Sequence, residues 1–194
     1  VFSGIDGSLI YQVDGYITGT YLGSAVAPVG DIDGDTVADF IVGAYLADPG
    51  GSSNAGSVFV FSGADGSLIH HVHGSTGNTR LGNRVAGLGD VNGDGTPDFG
   101  AGASFASPGS KSQAGSAYVY SGDDGSVLYQ VDGETADDRL GNAIIGPGDL
   151  DNDGYDDFIV AAWNSDPGST GNRAGTVYAY SGVDGSEIYR VEGN

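Results

Sequence analysis

Asp31, Asp33, Asp35 and Asp39 lie in the stretch "GDIDGDTVADF", which begins at Gly30. The arrangement returns as Asp90, Asn92, Asp94 and Asp98 in "GDVNGDGTPDF", and as Asp149, Asp151, Asp153 and Asp157 in "GDLDNDGYDDF". The spacing D-x-[DN]-x-D-x-x-x-D recurs at an interval of 59 residues both times. Side-chain oxygens stand at positions 1, 3, 5 and 9, while position 7 (Val37, Thr96, Tyr155) offers no carboxylate, which fits a main-chain carbonyl ligand. Hard oxygen donors alternating along a tightly wound loop suit one cation of Ca²⁺ size, which takes six to eight oxygens at about 2.3–2.6 Å. Without a cation the loops are costly. Two carboxylates about 4 Å apart at an effective dielectric of about 20 repel by roughly 4 kcal/mol. Gly34, Gly93, Gly95 and Gly154 supply the left-handed turns that such winding requires. The reading is three Ca²⁺ sites, one per loop.

Other chemistries fit less well. An EF-hand needs Glu at position 12, where this chain has Val42, Ala101 or Val160, and the flanking residues are strand-like. Paired carboxylates can hydrolyse glycosides, but three equivalent catalytic loops in one chain make little chemical sense. The run "HHVH" (His70, His71, His73) suggests a transition metal. Adjacent strand residues point to opposite faces, so these histidines read as polar residues of an outer strand. No Ser–His–Asp arrangement is legible, and the chain is read as non-enzymatic. Trp163, the single tryptophan, admits two readings, packing or sugar stacking. Arg80, Arg84, Arg139 and Arg173 are dispersed along the sequence and read as surface ion-pair partners of small worth.

The elements that must position the acidic loops are also repeated. "FSGIDGSLIYQV" from Phe2 reappears from Phe61, Tyr120 and Tyr180, at offsets of 59, 59 and 60 residues. The extra residue falls between Pro167 and Ala174. Each unit reads as four strands. Strand a is small and apolar ("SAVAPVG"), and the acidic loop joins it to strand b ("FIVGA"). A Pro-Gly loop leads to strand c ("SVFVF"), and an Asp-Gly turn to strand d ("SLIHHV"). Strand c is apolar on both faces, so both sides of the sheet should be covered, whereas strand d carries His, Gln or Arg and suits an outer edge. This is the pattern of a propeller blade; a β-solenoid or sandwich is the rival. The expected fold is all-β, with tandem four-stranded antiparallel blades. The units are 1–15 (a leading c–d hairpin), 16–74, 75–133 and 134–194.

Composition narrows the partners. Of the 194 residues, 26 are acidic and 6 are Lys or Arg, for a net charge of −20. Nucleic acid and anionic membrane are therefore poor partners. There is no cysteine, so there is no disulfide framework and no thiolate site. No apolar run is long enough to cross a bilayer. The chain starts at Val1, which suggests a removed leader or a window on a longer polypeptide.

The chain resembles an array of FG-GAP repeats, the blades of integrin α-subunit β-propellers. The "FG" of that motif corresponds to Leu22-Gly23, Leu81-Gly82 and Leu140-Gly141. Its "GAP" corresponds to Gly43-Ala44-Tyr45, Gly102-Ala103-Ser104 and Ala161-Ala162-Trp163. Leu replaces Phe, no copy keeps the Pro, and Thr36 stands where the other two loops have Gly. The resemblance implies Ca²⁺ between strands a and b of each blade.

Three blades cannot close a ring, because propellers use four or more. The end blades should then expose apolar aromatic faces, which signal a partner. That partner is other copies of the chain, in a ring or filament, or neighbouring blades of a longer chain; an extracellular protein or glycan is a further candidate. Ca²⁺ sites of this kind fill at extracellular concentrations. The expected function is therefore an extracellular scaffold for adhesion or self-assembly. The alternative is an accessory carbohydrate- or ligand-binding segment of a larger secreted protein or enzyme.

Overall fold

Short period-two runs, each ended by Gly, Pro or Asp-Gly, leave no stretch long enough for an α-helix, and the computed structural model has none among the residues it describes, 1–15, 19–168 and 173–194. The inserted residue expected between Pro167 and Ala174, and the start of the first unit at residues 16–18, fall on or beside positions outside the described residues.

Among the described residues, twelve strands form three antiparallel four-stranded sheets. The first contains β1 (Ala25–Gly30), β2 (Asp39–Ala44), β3 (Ser57–Phe61) and β4 (Leu68–His73), in that spatial order. The second contains β5 (Arg84–Gly89), β6 (Asp98–Ala103), β7 (Ser116–Tyr120) and β8 (Val127–Asp132). The third contains β9 (Leu140–Gly148), β10 (Asp157–Ala162), β11 (Thr176–Tyr180) and β12 (Glu187–Glu192). They are tandem propeller-type blades, open rather than closed. A register shift between Pro28 and Gly30, and another between Gly87 and Gly89, swings the chain out of strand a into the acidic loop.

The core lies between blades. Ile41, Val58 and Val60 of blade 1 pack on Phe99, Ala101 and Tyr120 of blade 2. Leu88, Ala117 and Val119 of blade 2 pack on Phe158, Val160 and Tyr178 of blade 3. A polar relay accompanies each junction. Tyr129 on β8 stacks on Phe158 at 5.9 Å, and its hydroxyl donates to the Gly182 carbonyl at 2.7 Å. His70 on β4 does the same one blade earlier, stacked on Phe99 at 5.9 Å with Nε2 2.6 Å from the Gly122 carbonyl oxygen. Tyr11 repeats the relay on blade 1, over Phe40 and donating to the Gly63 carbonyl at 2.9 Å. His70 is thus a junction residue, although the sequence reads as a polar outer strand. His71 faces the other way and stacks on Phe59 at 4.2 Å.

Residues 1–11 fold back on themselves: Phe2 bridges Leu9, Ser3 N–H donates to the Ser8 carbonyl, Ile10 N–H to the Val1 carbonyl, and the Val1 amino group to the Tyr11 carbonyl at 2.8 Å. The ends differ from two bare aromatic faces. Tyr11 partly covers the aromatic face of blade 1, while blade 3 exposes aliphatic Ile145, Val177 and Val191 beside Tyr189, the unused fourth member of the relay.

Close approach of blades requires glycine at particular positions. A Cβ on Gly43 would lie 2.0 Å from the Gly82 carbonyl oxygen, and one on Gly102 would lie 1.9 Å from that of Gly141. The third copy has Ala161 there. Overpacking of this kind costs about 1–3 kcal/mol. Gly102→Ala should therefore lower the urea midpoint, whereas Gly4→Ala, with nothing within 4 Å, should leave it unchanged. Equal midpoints for the two variants would show that the junction does not need the glycine.

Candidate functional site

Each acidic loop is wound around its first carboxylate. Asp31 Oδ1 accepts N–H bonds from Gly34 (2.8 Å) and Asp35 (3.0 Å), and its Oδ2 accepts from Thr36 (2.9 Å). Asp90 holds Gly93, Asp94 and Gly95 in the same way, and Asp149 holds Asn152, Asp153 and Gly154. The third residue caps the fifth: Asp33, Asn92 and Asp151 each accept the N–H two residues on. The fifth caps the seventh in turn, through Asp35, Asp94 and Asp153.

The ninth residue has a different task. Asp39, Asp98 and Asp157 are buried, each with both oxygens bonded. Asp98 Oδ2 accepts from Val91 N at 2.8 Å within the loop, and Oδ1 accepts from Gly122 N at 2.9 Å in the c–d turn. Asp39 joins Ile32 to Gly63, and Asp157 joins Leu150 to Gly182. Burial pushes the Asp98 carboxyl from 3.8 up to about 6, against the lowering pull of the N–H bonds from Gly122, Val91 and Asn92, while the Asp94 charge adds to the rise. The Asp151 carboxyl is also raised, by burial first and then by the charges of Asp153, Asp157 and Asp149.

These contacts bring Asp31, Asp33 and Asp39 together, and likewise Asp149, Asp151 and Asp157; in each trio one oxygen per residue lies within 4.8 Å of the others. That separation is about twice a Ca²⁺–oxygen bond. Asp35 and Asp153 stand outside the trios, each with Oδ2 near a c–d turn hydroxyl, Ser62 at 3.4 Å and Ser181 at 3.3 Å. In the second loop Asn92 replaces an acid, and its Nδ2 donates to Asp94 Oδ2 at 2.7 Å. Ser121 makes no such bond to Asp94, although it accepts from Asp123 N as Ser62 and Ser181 accept from Ala64 N and Val183 N. The ion pairs among the described residues are Arg139–Asp137 and Arg190 with Glu134 and Glu187, so no side-chain cation balances the loops. Crowded oxygen donors with no counter-charge fit a hard divalent cation.

Sequence reasoning missed the residues that fasten these loops to their surroundings. Ser62 and Ser181 were visible only as part of the repeated "SG" of the c–d turn. Asp156 was invisible, because the other loops have Ala38 and Pro97 in its place. Its Oδ2 accepts from Asp90 N at 2.8 Å, and its own N–H donates to the Asp90 carbonyl at 3.1 Å. The second and third loops are therefore bonded to each other across the blade junction. Thr36, at φ 74, holds the left-handed turn that Gly95 and Gly154 make freely, which strains a β-branched residue.

A family model described as FG-GAP repeat matches residues 22–61, 81–120 and 141–180. Integrin alpha-2 of Mus musculus is 32% identical over 160 residues, covering 74% of this chain and 13% of its own length. Integrin alpha-5 of Xenopus laevis is 30% identical over 181 residues, covering 86% of this chain and 17% of its own. The chain thus spans well under a fifth of these relatives. Among solved structures, rhamnogalacturonan lyase PL11 of Bacillus licheniformis superposes with a TM-score of 0.50 at 16% identity, over 86% of this chain and 34% of that one. The exotype rhamnogalacturonan lyase YesX gives 0.50 at 14% identity, over 86% and 33%. At such identities the likeness shows the fold alone.

Two outcomes follow from the loop geometry. Thr36→Asn, which tolerates the left-handed turn without the backbone freedom of Gly, should raise stability by about 0.5–1 kcal/mol, read from urea unfolding. A raised carboxyl in the folded chain means that the Asp98 contribution is complete below about pH 4 and is lost as pH rises through about 6. In chelator, the stability advantage of the parent over Asp98→Asn should shrink across that window. A pH-independent difference would refute the assignment.

Proposed function

The chain belongs to the FG-GAP repeat family, and on that premise we propose that it is a non-enzymatic, Ca²⁺-stabilised extracellular scaffold used for adhesion or assembly. Three sites are assigned. The first uses Asp31, Asp33, Asp35, Asp39 and the Val37 carbonyl. The second uses Asp90, Asn92, Asp94, Asp98 and the Thr96 carbonyl, and the third Asp149, Asp151, Asp153, Asp157 and the Tyr155 carbonyl. Bound Ca²⁺ supplies the positive charge that the loops lack. The chain's own residues do the rest: the ninth aspartate ties the loop to the c–d turn, and Asp90 and Asp156 tie one loop to the next.

The bond pair between Asp90 and Asp156 carries the reading, since it makes a proposed ligand residue part of a blade junction. Extracellular Ca²⁺ modules bind at about 10⁻⁴–10⁻³ M, which favours an extracellular setting over the cytosol. No helix among the described residues is long and apolar enough to cross a membrane.

The open face of blade 3, with Tyr189 47% exposed, is the proposed place for a partner. A further copy docking there as one blade docks on another would meet two obstacles. Ala161 replaces the glycine used at both internal junctions, and Pro28 stands where Gly87 and Gly146 allow strand a to approach its neighbour. Self-association therefore needs a looser contact than the internal one.

At tenfold excess over its dissociation constant, each ion adds about 1.4 kcal/mol to folding. Calcium should raise the melting temperature, chelator should lower it, and calorimetry should count three ions per chain, or two for Asp149→Ala. A melting curve indifferent to chelator would sink the proposal.

A further inference from the structure

Five of the six basic residues, Arg80, Arg84, Lys111, Arg139 and Arg173, fall at the ends of the blades opposite the acidic loops. They are dispersed in sequence, but the fold collects them. Phe105, in the loop after β6, lies between two guanidinium groups, with Arg80 Cζ 3.9 Å and Arg139 Cζ 4.4 Å from its ring centre. On the Arg139 side a cavity of about 350 Å³ is lined by Phe105, Arg139, Asn142, Trp163, Asn164 and Arg173, with Ser104 and Asp137. On the Arg80 side Phe105 borders a second cavity, of about 520 Å³.

This end is unlike the equivalent end of blade 1, where Tyr21, Tyr45 and Leu46 occupy the positions of Arg139, Trp163 and Asn164. The copies agree at the junctions and diverge here. Polar capacity at the cavity is also unspent. Arg139 Nη1 and Asn164 Oδ1 are buried without a hydrogen-bond partner, a state that native proteins leave to a missing water or ligand. Arg139 is only weakly engaged by acid, with Asp137 Oδ1 4.0 Å from its Nη2. Trp163 is 57% exposed.

We propose that this cavity between blades 2 and 3 binds a uronate residue of an acidic glycan. Arg139 and Arg173 meet the carboxylate, Trp163 offers a flat face to the pyranose ring, and the Asn142 and Asn164 amides exchange hydrogen bonds with hydroxyls. Planar guanidinium groups suit carboxylates, and side-chain amides both donate and accept, as a sugar hydroxyl does. The net charge of −20 does not forbid an anionic ligand. Six-residue strands hold the acidic loops about 20 Å away, beyond two screening lengths of about 8 Å at physiological salt, and the one carboxylate lining the cavity, Asp137, stands 4.0 Å from Arg139. An acidic peptide shares the carboxylate but does not need the exposed ring face, so glycan is favoured.

The site does not depend on the calcium reading, and its test is run in millimolar calcium on the full chain. Trp163 is the only tryptophan, so its emission reports on the cavity directly. A tetramer of galacturonic acid should shift that emission saturably. Its carboxyl-reduced counterpart and a tetraglutamate peptide should bind roughly tenfold more weakly or not at all. Arg139→Gln and the exposed Arg173→Gln should each weaken uronate binding roughly tenfold, with Arg173→Gln keeping the parent melting temperature. Trp163→Ala should remove the calorimetric signal. No saturable shift, equal binding of the reduced sugar, or a peptide that binds as well as the uronate would overturn the proposal.

Discussion

Asp39, Asp98 and Asp157 are buried carboxylates whose oxygens accept N–H bonds from two turns at once, the acidic loop and the c–d turn of the same blade. An isolated charge in such a place would cost several kcal/mol, and two hydrogen-bonded turns are what make it tolerable. The bond to the c–d turn fixes where strand d begins. That in turn places the ring at the outer edge of the blade, His70 or Tyr129, over the next Phe. One buried group per blade thus links the loop, the turn and the junction.

The junctions themselves combine apolar burial with main-chain proximity. Phe99 and Phe158 are fully buried between sheets, and each is a large apolar contribution. Side-chain packing alone would leave the blades free to slide. The relay to a glycine carbonyl and the close approach at Gly43 and Gly102 define one register. The outer faces differ in these devices: Pro28 and Ala161 stand where the internal junctions have glycine, and Tyr189, the fourth relay ring, is exposed. The acidic loops at one end and the arginines with Phe105 at the other give the molecule two chemically opposite rims, one suited to cations and one carrying most of its positive charge.

Much of this was legible beforehand because it is local and repeated. Strand c was read as "SVFVF" and runs Ser57–Phe61, since alternating apolar residues between a Pro-Gly loop and an Asp-Gly turn have few other options. The acidic loops were legible for the same reason: caps two to five residues away depend on sequence spacing alone. Asp156 was not, because its partner Asp90 is 66 residues distant and the repeat gives no hint of it. His70 was misread because a histidine in place of tyrosine looks like surface polarity until the Gly122 carbonyl is seen beside it. The arginines looked dispersed because 59 residues of chain separate Arg80 from Arg139, although one phenyl ring lies between them.

Linear order was therefore enough to establish the all-β repeat, the winding of the acidic loops and their demand for positive charge, since each arises from contacts between near neighbours in the chain. Which oxygens converge, which glycines are obligatory and where cationic side chains gather came only from stacking the blades. Those features join residues a full repeat apart, and their distances depend on how one sheet sits against the next.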